Sequence, residues 1–234
     1  MTANNINPAA KSSHRKVSLA AGLLYLLTFV SIPTLTLYGP VKSADYIIGS
    51  GSDKGAIVGA VLEVIVALAG IGTALVLFPM LKKKNEGMAL GLVASRTLEA
   101  SSMFIGVAII MTIVAMHKSN VGASGLASSH TLSVLYDRVF LQSQSFMPAV
   151  NDLLLGILLF KSRLVPRVLS MIGIVGGPLL LAGYLAVIFG LIGLDDPMKA
   201  LFAVPVALFE FSLGVWLVVK GFKASEVAAL ESKN

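Results

Sequence analysis

The sequence predicts an all-α fold: a polytopic membrane protein built as a six-helix transmembrane bundle with both termini in the cytoplasm. The 234 residues are 56% hydrophobic and 13% charged, with a mean hydropathy of +0.87. Soluble domains are about 45–50% apolar and about 25% charged. Six apolar segments are each long enough to cross about 30 Å of hydrocarbon. Basic residues concentrate in alternate loops, which predicts the orientation.

The predicted spans end where apolar runs meet polar turns. They cover about residues 17–38, 56–81, 88–116, 132–160, 168–192 and 200–219. Such long apolar runs lack the alternation of barrel strands, and lipid requires an internally satisfied backbone, so we expect helices. Residues 1–16 are the predicted polar N-terminus, 220–234 the predicted tail, and the Ser- and Gly-rich segment 117–130 a predicted loop.

The distribution of Lys and Arg places both termini in the cytoplasm. Of the 18 Lys and Arg residues, twelve lie in the two terminal segments and the second and fourth loops, five lie on the other side, and Arg96 is within a span. The net charge of +6 follows from this bias, so we expect no nucleic-acid partner. The absence of cysteine excludes disulfides, thiol catalysis and cysteine-ligated clusters.

Ionisable residues inside the spans are the candidate functional residues. They are Glu63, Arg96, Glu99, Asp152 and Glu210. Each charge near the bilayer centre costs about 2.5–3.5 kcal/mol on insertion scales, so these groups must meet one another or water. The predicted buried polar network also includes the uncharged residues Asn151, Gln144 and Ser95.

Distances along the sequence estimate the depth of these groups. Arg96, Asp152 and Glu210 lie nine to twelve residues from basic turns on the same side, which places all three about 14–18 Å above that boundary. Glu99 shares a helix face with Arg96, whereas Glu63 belongs to the other half of the bilayer. We expect an interior formed by spans two, three, four and six, with spans one and five more peripheral.

The charges in this set do not balance, since one Arg faces four carboxylates. Arg stays charged, so one or two carboxylates should pair with it and the others should be neutral. Glu63 is the farthest from Arg96 and is expected to be protonated. Poised carboxylates of this kind are typical of proton or cation pathways.

Backbone features suggest where the spans bend and pack. Pro148 precedes Asn151 and Asp152, and Pro205 precedes Glu210, so each can bend its helix beside a charged residue. Gly173 and Gly177 form one of several small-xxx-small pairs, for which we favour internal helix packing over dimerisation.

Three functions remain open from the residues alone. We favour a register-fixing structural or accessory role, because buried ion pairs often only fix the packing of helices. The alternative is a transporter of a small solute, coupled to protons or cations, or a ligand-binding membrane protein. A second alternative is an intramembrane enzyme acting on lipid, although we favour no enzyme because the spacing gives no nucleophile–base pair. No cofactor or metal site is expected; the expected partners are membrane lipids and a small-molecule or ion ligand, with the oligomeric state open.

Several strings resemble an uncharacterised bacterial membrane family, domain-of-unknown-function family 4386. They are "AGLLYLLTFVSIP" with "LYGP", "LEVIVALAGIGTALVLFPMLKKKNEGMALG", "SRTLEA", "ND" followed by "LFKSRLVPR", and "FEFSLGVWLVVKGF". The resemblance covers about residues 15–223 and includes all five buried charges. It implies a multi-pass protein of the bacterial inner membrane and no established activity.

Overall fold

The computed structural model describes residues 8–232, with side chains from Ser13 onward. Six helical spans are long and apolar enough to cross a membrane, as predicted. The predicted N-terminal segment and tail therefore lie partly outside the described residues, which include neither residues 1–7 nor 233–234. The chain is an all-α, multi-pass membrane protein, and the described part contains no strand.

The helices are labelled in chain order. They are α1 (Pro8–Leu27), α2 (Thr34–Leu37), α3 (Lys54–Leu81), α4 (Glu86–Lys118), α5 (Leu126–Leu141), α6 (Met147–Ser162), α7 (Arg167–Ile188), α8 (Met198–Val219) and α9 (Ala224–Glu231). A 3-10 turn at Thr28–Ser31 joins α1 to α2, and these together form the first span. A π-helical turn at Gln142–Phe146 joins α5 to α6 within the fourth span.

Two segments predicted to be irregular or polar are helical. The fourth span begins within the predicted loop, because α5 starts at Leu126 and packs against α4. Hydroxyls in this segment are satisfied within the helix, as Thr131 donates to the carbonyl of Ala127 at 2.9 Å. The tail forms α9, whose Val227 and Leu230 are buried in the main apolar cluster.

The spans form a closed ring in the order α1, α3, α4, α6, α7, α8. All six spans join this ring, since α1 packs between α3 and α8, and α7 packs between α6 and α8. Spans one and five are less buried than spans two, three and four, as expected, whereas span six, which was expected in the interior, is as exposed as span one. Glycines explain the close approach, because there is almost no space beside Gly22 at α8 or beside Gly177 at α6. Helices α1 and α7 therefore join the ring through close packing of their glycines against neighbouring helices, without an ion pair inside the membrane among the described residues.

We call the two ends of the ring the terminal side and the loop side. The terminal side carries residues 13–16, 82–86, 162–167 and 220–232, and His14 there contacts Glu231 at 2.9 Å. Fully buried leucines, including Leu77, Leu81, Leu155 and Leu159, close the bundle towards this side. The loop side carries residues 39–53, 118–125 and 189–197.

Candidate functional site

Arg96 on α4 is the centre of a buried ion-pair cluster. Its guanidinium lies 2.9 Å from Glu99 one turn along the same helix and forms a second ion pair with Glu210 on α8. Asp152 on α6 lies 3.9 Å away, beyond hydrogen-bond distance. Arg96, Glu99 and Asp152 are all buried. Three carboxylates thus surround one guanidinium, as the estimated depths predict for Asp152 and Glu210.

Asn151 on α6 extends this cluster. Its amide nitrogen donates to Oε2 of Glu99 at 2.8 Å, and its carbonyl oxygen accepts a hydrogen bond from the hydroxyl of Ser95. Both polar atoms of a fully buried amide are therefore satisfied, which makes the contact stabilising rather than costly. The cluster joins α4 to α6 through Asn151 and α4 to α8 through Arg96.

Glu63 forms a separate site nearer the loop side. Its two carboxylate oxygens accept hydrogen bonds from Tyr38 and Tyr136, each at 3.1 Å. The two tyrosine rings pack edge to face with centroids 5.5 Å apart. Within the part of the chain that the structure describes, Glu63 has no salt-bridge partner. The predicted single network is therefore two sites, one around Arg96 and one around Glu63.

Gln144 lies in the π-helical turn of the fourth span. Pro148 four residues later has no N–H to donate to the Gln144 carbonyl, so the regular α-helical pattern cannot continue through this point. The helix widens there, and the N–H of Met147 bonds to the carbonyl of Gln142. Gln144 lines a cavity together with Arg96, Glu99 and Glu210.

Three overlapping cavities run from this cluster to the loop side, and together we call them the cleft. The floor cavity, of about 320 Å³, has Arg96, Glu99 and Glu210 in its wall. The middle cavity, of about 530 Å³, is lined by Glu63 and Asp195. Floor and middle share six wall residues: Ser31, Ile32, Leu35, Gln144, Leu180 and Ala203.

The mouth cavity, of about 350 Å³, completes the cleft at the loop side. It shares six wall residues with the middle cavity: Thr34, Leu35, Phe140, Leu194, Asp195 and Lys199. Its wall also contains an ion pair between Lys42 and Asp137. Since the leucine cluster fills the bundle on the terminal side, the cleft leads from one end of the ring to the buried charges and stops there.

The break in the first span makes room for the cleft. Below the break, α1 packs against both α3 and α8, whereas the 3-10 turn and α2 above it pack against α3. Pro33 lies at this break, since it cannot donate the backbone hydrogen bond of a continuous helix. At the floor, the rings of Phe29 and Phe211 meet edge to face at 5.5 Å, which joins span one to span six.

A third polar cluster lies on the loop side, outside the spans' apolar regions. The hydroxyl of Tyr46 donates to Asp53, and His117 at the end of α4 contacts the same carboxylate oxygen at 2.8 Å. The hydrogen bond from Tyr46 lowers the pKa of Asp53, and His117 adds to this effect. Burial raises the pKa of the Tyr46 hydroxyl. The other imidazole nitrogen of His117 lies 3.0 Å from the carbonyl of Gly49, so this cluster fastens the 43–53 loop to α4.

Tyrosines are the functional residues that the sequence prediction missed. Tyr25 on α1 is buried, and its ring centroid lies 5.6 Å from the Arg96 guanidinium, a cation–π contact. Tyr38 and Tyr136 hold Glu63. A neutral aromatic residue in an apolar run carries no insertion penalty, so nothing marks it. The available signal is scarcity: the chain has only five tyrosines, and four of them touch an ionisable group.

Comparison with known protein families gives a match over most of the chain. Residues 20–221 match the family model described as Domain of unknown function (DUF4386). No curated protein and no solved structure matches the chain.

Proposed function

Because the chain belongs to the DUF4386 family, which implies no activity, its function must be inferred from the site, and we propose that the protein binds a small solute in the cleft as a solute-carrying membrane protein. The observation that supports this proposal is the path of the cleft, which reaches the Arg96 cluster from the loop side. A cluster that only fixed helix packing would need no such access.

The composition of the cleft wall suits a ligand with polar and apolar parts. Polar groups of Arg96, Glu99, Glu210 and Gln144 lie at one end, and most of the remaining wall is apolar. Ligand sites typically combine an apolar lining with a few convergent polar groups. Their position between discontinuous helices also supports the proposal, since transporters bind solutes where helices are interrupted. Here the first and fourth spans are interrupted.

The orientation is part of this proposal. Twelve Lys and Arg residues in the terminal segments and the second and fourth loops favour a cytoplasmic terminal side, in a bacterial inner membrane. The cleft would then open away from the cytoplasm. The closed leucine cluster would be the cytoplasmic barrier that a transport cycle opens.

Single cysteines test access to the cleft, since the chain has none of its own. Ser31→Cys and Ala203→Cys place a thiol in the wall shared by the floor and middle cavities. We expect a charged, water-soluble thiol reagent to modify both in intact cells, which also tests the orientation. Leu159→Cys, inside the leucine cluster, is the matched control and should remain unmodified. If neither thiol is modified, in cells or in detergent, the proposal is refuted.

Native mass spectrometry of gently purified protein tests occupancy. We expect a small molecule to remain bound and to be lost in Gly70→Leu, because Gly70 lines the floor cavity and has no atom within 4 Å of the position of a Cβ. Gly87→Leu, on the exposed surface near Asn85, is the control and should retain the molecule.

The interhelical contacts favour a second candidate function, a structural lock. Arg96 joins α4 to α8 and Asn151 joins α6 to α4. This role is compatible with solute binding, and its test is the stability series on Arg96 given in the Discussion.

A further inference from the structure

Asp152 is the buried carboxylate that the ion pairs around Arg96 leave without a hydrogen bond in the described part of the chain. Its side chain is 0% exposed, and its closest cationic atom is Nη2 of Arg96 at 3.9 Å. Neither of its oxygens has a hydrogen-bond partner among residues 8–232. An ionised carboxylate in such surroundings carries a large desolvation cost, and protonation removes the part that comes from the charge. Asp152 therefore holds a proton in this arrangement.

Arg96 has an unused donor in the same region. Its Nε is buried and has no acceptor in the described part of the chain. Hydrogen bonds between nitrogen and oxygen span about 2.7–3.2 Å, so a shift of about 1 Å would bring the guanidinium into contact with Asp152. Arg96 can thus pair with Glu210 on α8 or with Asp152 on α6.

The two alternative partners differ in their access to the cleft. Glu210 lines the floor cavity, whereas Asp152 is fully enclosed. The floor cavity measures about 320 Å³, and its wall includes Phe29 and Met103. Acidic residues outnumber basic ones along the approach, where Glu63, Asp195 and Asp196 line the middle cavity together with one lysine, Lys199. This combination of a carboxylate, an aromatic ring and an acidic approach fits a small organic cation.

We propose, building on solute binding in the cleft, that the solute is a small organic cation and that it is exchanged for one proton. The cation pairs with Glu210 in place of Arg96, Arg96 pairs with Asp152, and Asp152 ionises. The reactants are the free cation R₄N⁺ and Asp152–COOH. The products are R₄N⁺ bound to Glu210, Asp152–COO⁻ and one H⁺. One O–H bond breaks, the proton leaves to water, and no electrons are transferred.

This exchange keeps the charge of the buried cluster constant. Before binding, Arg96 faces ionised Glu99 and Glu210, which leaves one net negative charge. After binding, two cations face three carboxylates, which again leaves one net negative charge. The low-dielectric interior therefore never has to hold additional charge, which is the costly step for a membrane protein.

The groups around Asp152 make its ionisation dependent on the cation. Arg96 and Glu99 act on it electrostatically from α4 and Glu210 from α8, while Tyr25 on α1 packs against the Arg96 guanidinium. The packed helix α7 has no charged residue between Val168 and Ile188. Glu99 and Glu210 both repel a negative charge on Asp152, so Asp152 ionises only when Arg96 moves to it and the cation neutralises Glu210.

Tetraethylammonium is a suitable probe because it carries no proton of its own. We expect wild-type protein in detergent to bind it with a dissociation constant that falls about tenfold for each unit by which the pH rises, since one proton leaves for each cation bound. A pH-indicator dye in weak buffer should report about one proton released per bound cation.

Three variants test the assignment. Asp152→Asn mimics the neutral carboxyl group, so it should fold, release no proton and bind the cation without pH dependence. Glu210→Gln should lose binding, and the exposed Glu86→Gln should behave as wild type. Size-exclusion elution and thermal unfolding report whether each variant is folded, and the proton count on the wild type needs no variant.

Each outcome decides a different point. Binding without proton release, or a pH dependence that persists in Asp152→Asn, would overturn the exchange. If tetraethylammonium does not bind while Ser31→Cys stays reactive and native mass spectrometry retains another molecule, the cation class is wrong and solute binding stands.

Discussion

The side-chain amide of Asn151 donates to Oε2 of Glu99 at 2.8 Å, across the interface between α6 and α4. The same oxygen accepts a hydrogen bond from Arg96 at 2.9 Å. One oxygen of Glu99 therefore accepts a hydrogen bond from a neutral donor on α6 and another from a charged donor on its own helix, α4. This shared acceptor orients Arg96 towards the other carboxylates, and the ion pair of Arg96 with Glu210 joins α4 to α8.

Arg96→Leu should destabilise the protein strongly. The change leaves the buried Glu99 and the half-buried Glu210 without their cation, and stranding one partner of a buried pair costs about 3–5 kcal/mol. Reversible unfolding in mixed micelles measures the loss.

The triple variant Arg96→Leu, Glu99→Leu, Glu210→Leu is the matched comparison. It removes the stranded charges as well as the cation but leaves the buried Asn151 amide without its acceptor, so it should recover most of the loss and lie within about 1–3 kcal/mol of wild type. A triple variant no more stable than Arg96→Leu would show that the cluster does not act as a lock.

Glu63→Gln should be nearly neutral for stability, within about 1 kcal/mol, because Gln keeps a polar group that can bond to the phenols. Glu63→Leu removes the acceptor of both Tyr38 and Tyr136 and should cost about 1–3 kcal/mol per stranded hydroxyl. Thermal unfolding of the two variants tests whether the fold needs the acceptor rather than its charge. Equal losses would contradict this view.

Gly177→Ala should destabilise the α6–α7 interface by about 1–3 kcal/mol. A Cβ at this position would lie 2.6 Å from the backbone carbonyl oxygen of Ala149, which can move only with its helix. Gly70→Ala is the control, since nothing lies within 4 Å of its Cβ position, and it should be neutral or stabilising by up to about 1 kcal/mol. Melting temperatures that fall equally in both variants would exclude the packing explanation.

The loop from residue 43 to residue 53 should loosen in acid. The pKa of Asp53 is lowered in the folded protein by the Tyr46 hydroxyl and by His117. Its stabilising contribution is therefore fully present above the unfolded value of about 3.9 and is lost as the pH falls through the lower folded value. Hydrogen exchange of the loop amides, corrected for intrinsic rates, should show protection that decreases over this range.

Two variants check the role of Asp53 in that pH response. Asp53→Asn should reduce protection already at neutral pH and abolish the acid dependence that comes from Asp53. Asp45→Asn changes an exposed carboxylate of the same loop and should leave the response unchanged. An acid response that survives in Asp53→Asn would assign the effect to another group.

The sequence by itself determined the six spans and the charged residues within them. Hydropathy is a local property, so the length of an apolar run predicts a span whatever its neighbours are. A charge in such a run is costly wherever it lies, so Arg96, Glu99, Asp152 and Glu210 could be selected before any partner was known. Spacing from the basic turns also predicted that Arg96 and Glu210 share one depth, and they form an ion pair.

The tertiary structure alone decided which helices are neighbours and what each charge contacts. The ring order depends on glycine faces that admit α1 and α7, and the cleft depends on the breaks at Pro33 and Gln142–Phe146. Glu63 pairs with tyrosines instead of Arg96 because helix rotation and neighbour order, which local composition does not encode, set its surroundings. A tyrosine within an apolar run adds no large free-energy cost of membrane insertion, so only its contacts in the folded protein reveal its role.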